Sequence, residues 1–228
     1  YSKGILFEGS RHTINPLKVS HKILDAFIDR GGVFINKKVT SIDDNKDQIA
    51  IHCENSLFNC DQIVICAGAW SKQLALMIGD KFPLDTERGY HVLFENTEQL
   101  IDRPIGWSKF GFYIIQIEEG IRSAGTVEIA GLNNKPNQKR LKMIEKETRK
   151  LLPTLGNVKS TWLGFRPTLP DAMPVIGQSE RNKKIFYAFG HQHLGWTLAA
   201  VTGQITQYLI DDRKPNIDIS AFSPQRFN

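Results

Sequence analysis

Cysteine is scarce: Cys53, Cys60 and Cys66 are the three in 228 residues, an odd number without a CxxC spacing. That excludes a disulfide scaffold, and buried free thiols in a reducing compartment are the expectation. Long apolar runs are missing too. None approaches the roughly 20 residues that a membrane span needs, and the opening YSKGILFEGS lacks the apolar core of a signal peptide. There is no initiator methionine, internal repeat or low-complexity tract, and the start reads as that of a piece cut or processed from a longer protein. No sign of charge dominates, since 29 Lys and Arg face 24 Asp and Glu for a net +5. The basic clusters NQKRLK and RNKKI are short, as solvated faces are, and nucleic acid is not an expected partner. With 41% hydrophobic residues the chain has enough to bury a core. Its length suits one large domain or two small interleaved ones.

The pattern along the chain is mixed. Residues 5–15 read as a strand and turn. Asn15-Pro16 opens a helix, with Asn as N-cap and Pro in the first turn. Leu17, Ile23, Leu24, Phe27 and Ile28 give that helix a stripe to bury, and Gly31-Gly32 ends it. VFIN then reads as a short strand, followed by KKVTSID. QIAIHCE and SLFNC predict antiparallel strands with turns at Asp43 to Lys46 and Glu54 to Ser56. In QIVICAGAW the apolar run Ile63 to Ala67 does not alternate, as in a strand covered on both faces. A turn at Gly68 leads into a helix that closes at Gly79. This first part predicts an α/β layout with a largely parallel sheet.

From Pro83 onward longer antiparallel strands appear in RGYHVLFE, GFYIIQIEEGIRSAGTVEIAG and VKSTWLGFRPTLPD, an α+β pattern interrupted by a helix near Asn137 to Leu152. KIFYAFG returns to a buried strand. GHQHLGWTLAAVTG then opens a last helix, with Leu198, Val201, Ile205 and Leu209 at helical spacing.

Why should a helix begin with two histidines, two glycines and a tryptophan? A helix N-terminus carries unpaired N–H groups and about half a positive charge. Glycines let a ligand approach that backbone. An anion, or a ring that becomes negative, suits such a place, and a reduced flavin is one. The plainer alternative is a helix start with glycines for turning and histidines at the surface.

The segment GHQHLGWTLAAVTG resembles the flavin-facing segment of FAD-dependent D-amino acid dehydrogenases and their relatives, the glycine oxidase and sarcosine oxidase group of the D-amino acid oxidase superfamily. INPLKVSHKILDAFIDRGGVF, KKVTSI, IVICAGAWSKQL, ERGYHV, GTVEIAG and WLGFRPTLPDAMPVIG are similar to that family in the same order. The family's first unit, a βαβ with a GxGxxG turn that holds the FAD pyrophosphate, has no counterpart here. The resemblance therefore implies the C-terminal part of a longer flavoenzyme, with FAD bound weakly or not at all by this part. The missing piece would supply sheet strands and leave an open edge or apolar face behind.

The resemblance also implies roles for individual residues. The backbone of Val39 meets the adenine. Ala67, Gly68 and Trp70 run beside the flavin, as do Gly190, His191, Gly195, Trp196 and Thr197. Trp196 has core packing as its plainer reading, and His191 a structural hydrogen bond. Arg166 in GFRPTLPD matches an arginine that holds the substrate carboxylate, and a guanidinium grips a carboxylate with two parallel bonds. Arg88, Tyr90 and His193 are candidate pocket residues, with strand packing the alternative for the first two. If residues 190–194 are extended, His191 and His193 point the same way. No third ligand is spaced for a metal.

GFRPTLPD lacks the cysteine through which some relatives attach flavin, so the FAD is expected to be non-covalent. No acid–base or nucleophile set stands out, and no catalytic side chain is singled out. The implied architecture is α/β plus α+β. Residues 1–82 and 153–228 form a partial Rossmann-like FAD-binding domain, with 1–15 lending a strand to the substrate domain. Residues 83–152, extended by a strand over 158–169, form that antiparallel substrate domain. The implied activity is oxidation of D-amino acids or cyclic imino acids to imines and keto acids, with electrons passing to a respiratory acceptor. The setting is cytoplasmic, with peripheral association at the inner membrane face. The alternatives are a glycine- or sarcosine-type oxidase using oxygen, and a non-catalytic interaction module.

Overall fold

The computed structural model describes residues 4–9, 11–45, 48–95 and 98–227. The expected strand over 5–15 and turn at Asp43 to Lys46 include Ser10 and Lys46, which lie outside the described residues. In chain order the first elements are α1 (Pro16–Ile28), β1 (Val39–Asp44), β2 (Ile49–Cys53), β3 (Ser56–Cys60), β4 (Ile63–Ile65) and α2 (Ser71–Met77). Then come β5 (Asp85–Phe94), β6 (Ile105–Trp107), β7 (Phe112–Ile117), β8 (Gly120–Ile129) and α3 (Gln138–Leu151). The last are β9 (Val158–Thr168), β10 (Val175–Gln178), β11 (Ile185–Phe189) and α4 (Gly195–Ile210). They fall into two compact units. One comprises the chain up to Ile35, Arg88–Glu128 and Asn133–Gly164; the other comprises Asn36–Glu87, Ile129–Leu132 and the chain from Phe165 on.

The first unit centres on a five-stranded sheet in the order β6-β7-β8-β5-β9. Strand alternation sends Tyr90, Val92 and Phe94 into a core with Phe112, Ile114 and Ile121. α3 covers that core with Leu141 and Ile144, and Thr148 Oγ1 lies 2.9 Å from Ser123 Oγ. Its start follows from Asn137, whose side chain accepts from the Lys139 N–H.

α1 begins as its Asn-Pro pair predicts, with Asn15 Oδ1 accepting from the Lys18 N–H at 2.8 Å. Its stripe does not behave as expected. α1 has no buried residue, and Leu17 and Ile23 are 64% and 65% exposed. The helix is amphipathic, but no described element of its unit packs on its apolar side. VFIN forms no strand and exposes Val33, Phe34 and Ile35 for the same reason, since a strand needs a partner ladder. Among the described residues of 5–15 there is likewise no strand. That stretch runs close to β7 without a full ladder, with the Glu118 N–H donating to the Ile14 carbonyl. An exposed apolar stripe is a self-association liability. Ile23→Lys is therefore expected to cut concentration-dependent light scattering while moving stability by no more than about 0.5 kcal/mol in urea unfolding.

The second unit has two three-stranded sheets, β1-β2-β3 and β10-β11-β4. The first is antiparallel, its two pairs running from Val39 opposite Cys53 and from Ile49 opposite Cys60. In the second, β4 runs parallel to β11, with Ile63 opposite Ile185, while β10 is antiparallel. The expected largely parallel sheet is thus one parallel pair among the described residues, with β4 at its edge. Ile65, Val175, Ile185, Tyr187 and Phe189 form the core with Phe82, whose ring stands edge-on to Tyr187 at 5.0 Å. Tyr187 and Ser179 hydroxyls both donate to Asp80 at 2.6 Å, tying the end of α2 to the sheet. Of the three thiols, Cys53 alone is buried; Cys60 is half-buried and Cys66 is exposed.

Candidate functional site

β11 ends in the turn that starts α4, and this turn is tight for a physical reason. Gly190 has φ +86°, and a Cβ there would lie 2.6 Å from Leu169 Cδ1, so both conformation and space require glycine. Gln192, at φ 52°, continues the turn, and its N–H donates to the Pro167 carbonyl at 2.9 Å. Residues 190–194 are therefore not extended, and the premise that His191 and His193 share a direction does not hold. His191 is half-buried with a ring nitrogen 2.9 Å from Thr202 Oγ1 on α4. Burial lowers its pKa and keeps the imidazole neutral at pH 7. His193 is exposed.

α4 starts without a cap. Leu194 offers no side-chain acceptor, and the first helical bond runs from the Leu198 N–H to the Leu194 carbonyl. The N–H groups of Gly195, Trp196 and Thr197 precede that bond and form the positive end of a 16-residue helix. A Cβ at Gly195 would meet only His191 Cβ, at 3.4 Å, so the approach is open. Trp196 is 52% exposed, and its core-packing reading is overturned: it stands on the outer side of the first turn. Thr197 is exposed as well.

The end of β4 and the start of α4 line one cavity of about 450 Å³, with Val64, Cys66 and Ala188 on the sheet side and His191, Gly195, Ala199 and Gly203 among the rest. Small side chains on α4 make the room. Half-buried Ala67 and Gly68 follow β4 directly, and Gly68, at φ 55°, opens the short helical turn that leads into α2. Trp70 in that turn is half exposed and stands edge-on to Phe165, 5.7 Å between centroids. Val39 is half-buried at the start of β1. Arg166 follows Phe165 on β9 and is half-buried. Burial pulls its guanidinium pKa down, partly offset by the Glu87 carboxylate.

Arg88 and Tyr90 are engaged elsewhere. Arg88 is 3% exposed and donates to Glu128, to Tyr90 Oη at 2.7 Å and to the carbonyls of Asn133 and Lys135. The Tyr90 hydroxyl donates to Glu128, which also accepts from Asn137 Nδ2 at 2.8 Å. Hydrogen bonds from Asn137 and Tyr90, then from Arg88, hold the Glu128 carboxyl down at about 2 despite burial. The cluster braces the start of α3, and its arginine has no fork turned to a ligand. An isolated strand arginine gives no sign of a partner forty residues away, which is why Glu128, and the bond that Asn137 makes to it, escaped the sequence reading. Thr202, which holds His191, escaped for the same reason.

Whether these residues fit a flavin rests on the cavity and its donors. The uncapped N–H groups at the start of α4 suit the negative pole of the ring, and the small residues of α4 leave space beside β4. None of the 18 glycines forms the GxGxxG turn that cradles a pyrophosphate. Among the described residues no group of three His, Cys, Asp or Glu is placed to hold a metal, and no helix is long and apolar enough to cross a membrane.

Comparison with known proteins gives this arrangement a family. The chain is 36% identical to a D-amino-acid oxidase of Bradyrhizobium diazoefficiens over 234 aligned residues, covering 100% of this chain and 55% of that protein. It is 32% identical to D-amino acid dehydrogenase 3 of Mesorhizobium japonicum, covering 76% of this chain and 44% of that one. The chain thus spans about half the length of these relatives. The crystal structure of glycine oxidase from Geobacillus kaustophilus superposes with a TM-score of 0.83 at 18% identity, over 91% of this chain and 57% of that one, a likeness of fold. The pattern that defines the FAD dependent oxidoreductases, DAO, matches residues 1–209, and this chain belongs to that family.

Proposed function

We propose that the protein carrying this chain is an FAD-dependent oxidoreductase that oxidises D-amino acids, or cyclic imino acids, to imines that hydrolyse to keto acids, with ammonia released from the primary amines. The observation that carries this reading is the uncapped start of α4 lining one cavity with the end of β4, in a chain 36% identical to a D-amino-acid oxidase. Bound FAD would supply the acceptor for the hydride, which carries the electron pair away from the substrate α-carbon.

This chain's residues then position and polarise. The N–H groups of Gly195, Trp196 and Thr197 would hold the ring's negative pole, with Ala67, Gly68 and Trp70 beside the flavin and Val39 at the adenine. Gly190 and the His191–Thr202 bond fix the turn that aims them. His191, neutral and already bonded, serves the turn and moves no proton. Arg166 grips the substrate carboxylate. The amine is neutral when hydride leaves, so orientation and electrostatics carry the reaction more than an acid–base pair. The FAD is held without a covalent bond, its phosphates by a part of the protein beyond this chain, so this chain alone holds FAD weakly. His193, exposed near the same turn, acts on substrate position. The electrons pass to a respiratory acceptor, and the protein works in the cytoplasm, against the inner membrane face.

The test is oxidation of a panel of D- and L-amino acids and D-proline by the FAD-loaded protein, with keto acid, ammonia, dye reduction and peroxide measured together. Dye reduction and keto acid from D-amino acids without peroxide support the reading. Peroxide in place of dye reduction moves the acceptor to oxygen. No product from any amino or imino acid overturns it.

A further inference from the structure

Each neighbour of Arg166 on β9 is tied to one of the two segments that the amine-oxidation reading sets beside the flavin. On one side the Phe165 ring stands edge-on to Trp70, with planes 76° apart. Trp70 closes the short helical turn Gly68–Trp70 that follows β4. On the other side the Pro167 carbonyl accepts from the Gln192 N–H, inside the turn that starts α4. Gln192, at φ 52°, holds a left-handed conformation that is unfavourable for a residue with a Cβ, so that turn relies on such ties to keep its shape. Residue 166 therefore sits between two pins, a ring contact at 165 and a main-chain bond at 167. All of these residues belong to one compact unit. Alternation turns the Arg166 guanidinium to the face opposite the Phe165 ring, so the contact reaches it through the main chain alone. Phe165 is half-buried and 48% of Trp70 is exposed, which places the pair at the rim of its unit's core. An edge-to-face pair is worth roughly a two- to tenfold factor in an equilibrium beyond its burial. That is enough to keep a strand end in one place and too little to decide whether the unit folds.

Resting on the amine-oxidation reading above, we propose that Phe165 is a positioning residue for the reaction: together with the Pro167–Gln192 bond it fixes the segment that carries Arg166 at one distance from the flavin. The carboxylate grip and the N–H groups of α4 then share one frame, and the substrate α-carbon is held where its hydride can leave. Removing the ring leaves the guanidinium able to grip, so substrate binding changes little. Alignment is what is lost, and a displacement of about 1 Å is enough to cost roughly a hundredfold in rate. The loss falls on kcat, whereas removal of Arg166 itself should fall mostly on KM.

The test compares Phe165→Leu with Phe165→Tyr, which keeps the ring. In the 228-residue chain without FAD, the Gln192 amide is followed by NMR. Phe165→Leu should shift that resonance and speed its hydrogen exchange about tenfold, and Phe165→Tyr should leave both at the parent values. In the FAD-loaded protein Phe165→Leu should lower kcat for D-alanine roughly ten- to a hundredfold. KM, and the affinity for propionate as a carboxylate without the amine, should stay within about twofold. Phe165→Tyr should restore kcat. If Phe165→Leu does not fold, Trp70→Leu cuts the same contact from its more exposed side and is read at the Gln192 amide without FAD; if neither folds, the contact is structural and the proposal falls. An unmoved Gln192 amide in a folded variant, an unchanged kcat, a loss carried by KM, or a Phe165→Tyr no better than Phe165→Leu overturns the positioning role. A parent protein that oxidises no amino acid sinks the oxidation reading. A parent that oxidises D-alanine, with Phe165→Leu indistinguishable from it, sinks the positioning role alone.

Discussion

Replacing Arg166 by alanine is expected to lower kcat/KM for amino acid oxidation by roughly a hundred- to a thousandfold, equivalent to about 3–4 kcal/mol of lost binding in the transition state. The loss should fall mostly on KM, because a carboxylate grip is made in the ground state as well. Arg166→Lys restores the charge but not the two-pronged fork, so it should recover part of the activity. Thermal unfolding separates this role from a structural one. If Arg166→Ala melts within a few degrees of the parent and the D-amino acid KM still rises steeply, the residue binds ligand. If kcat/KM stays unchanged in a folded variant, the carboxylate is held elsewhere.

The second large effect is on stability. Glu128→Ala leaves the buried Arg88 guanidinium without its carboxylate and should cost about 3–5 kcal/mol, read as a fall in the urea midpoint. Removing both partners with apolar residues, Arg88→Met with Glu128→Leu, should recover much of that loss, because the cost lies in the stranded charge. The same group gives a pH signature. Its folded pKa, about 2, lies below the ordinary value of 4.5. The unfolded chain therefore binds the proton more readily. The stabilisation is fully present above about 4.5 and is lost as pH falls toward 2. Acid unfolding of Glu128→Gln should lack that component. An unchanged acid profile would mean that the Arg88–Glu128 contact contributes nothing to folding.

Local chemistry made some of this fold readable in the sequence and left other parts hidden. The start of α1 follows from Asn15-Pro16, that of α3 from Asn137, and the tight turn before α4 from Gly190, since each signal lies within a few residues of the feature. The β2–β3 hairpin and the long strands from Asp85 on follow from alternation. What failed depended on partners distant in sequence. The α1 stripe and VFIN looked buried because apolar periodicity says which face is greasy, not whether anything covers it. β6 and β10, three and four residues long, were too short to show a period. Arg88 was open to a pocket role or to strand packing until Glu128 appeared beside it. Trp196 looked like core because aromatic residues usually are, yet the first turn of α4 points it outward. At the candidate site, the glycines and the helix start were legible. In the other unit the stack of His91 on Trp162 was not, because it joins two strands seventy residues apart.

The measurement that bears most directly on the central claim is a crystal structure of the FAD-loaded protein. The N–H groups of Gly195, Trp196 and Thr197 should lie about 3 Å from the N1 and C2-carbonyl side of the ring, with Ala67 and Gly68 along its edge. A flavin that touches neither the start of α4 nor the end of β4 would contradict the account.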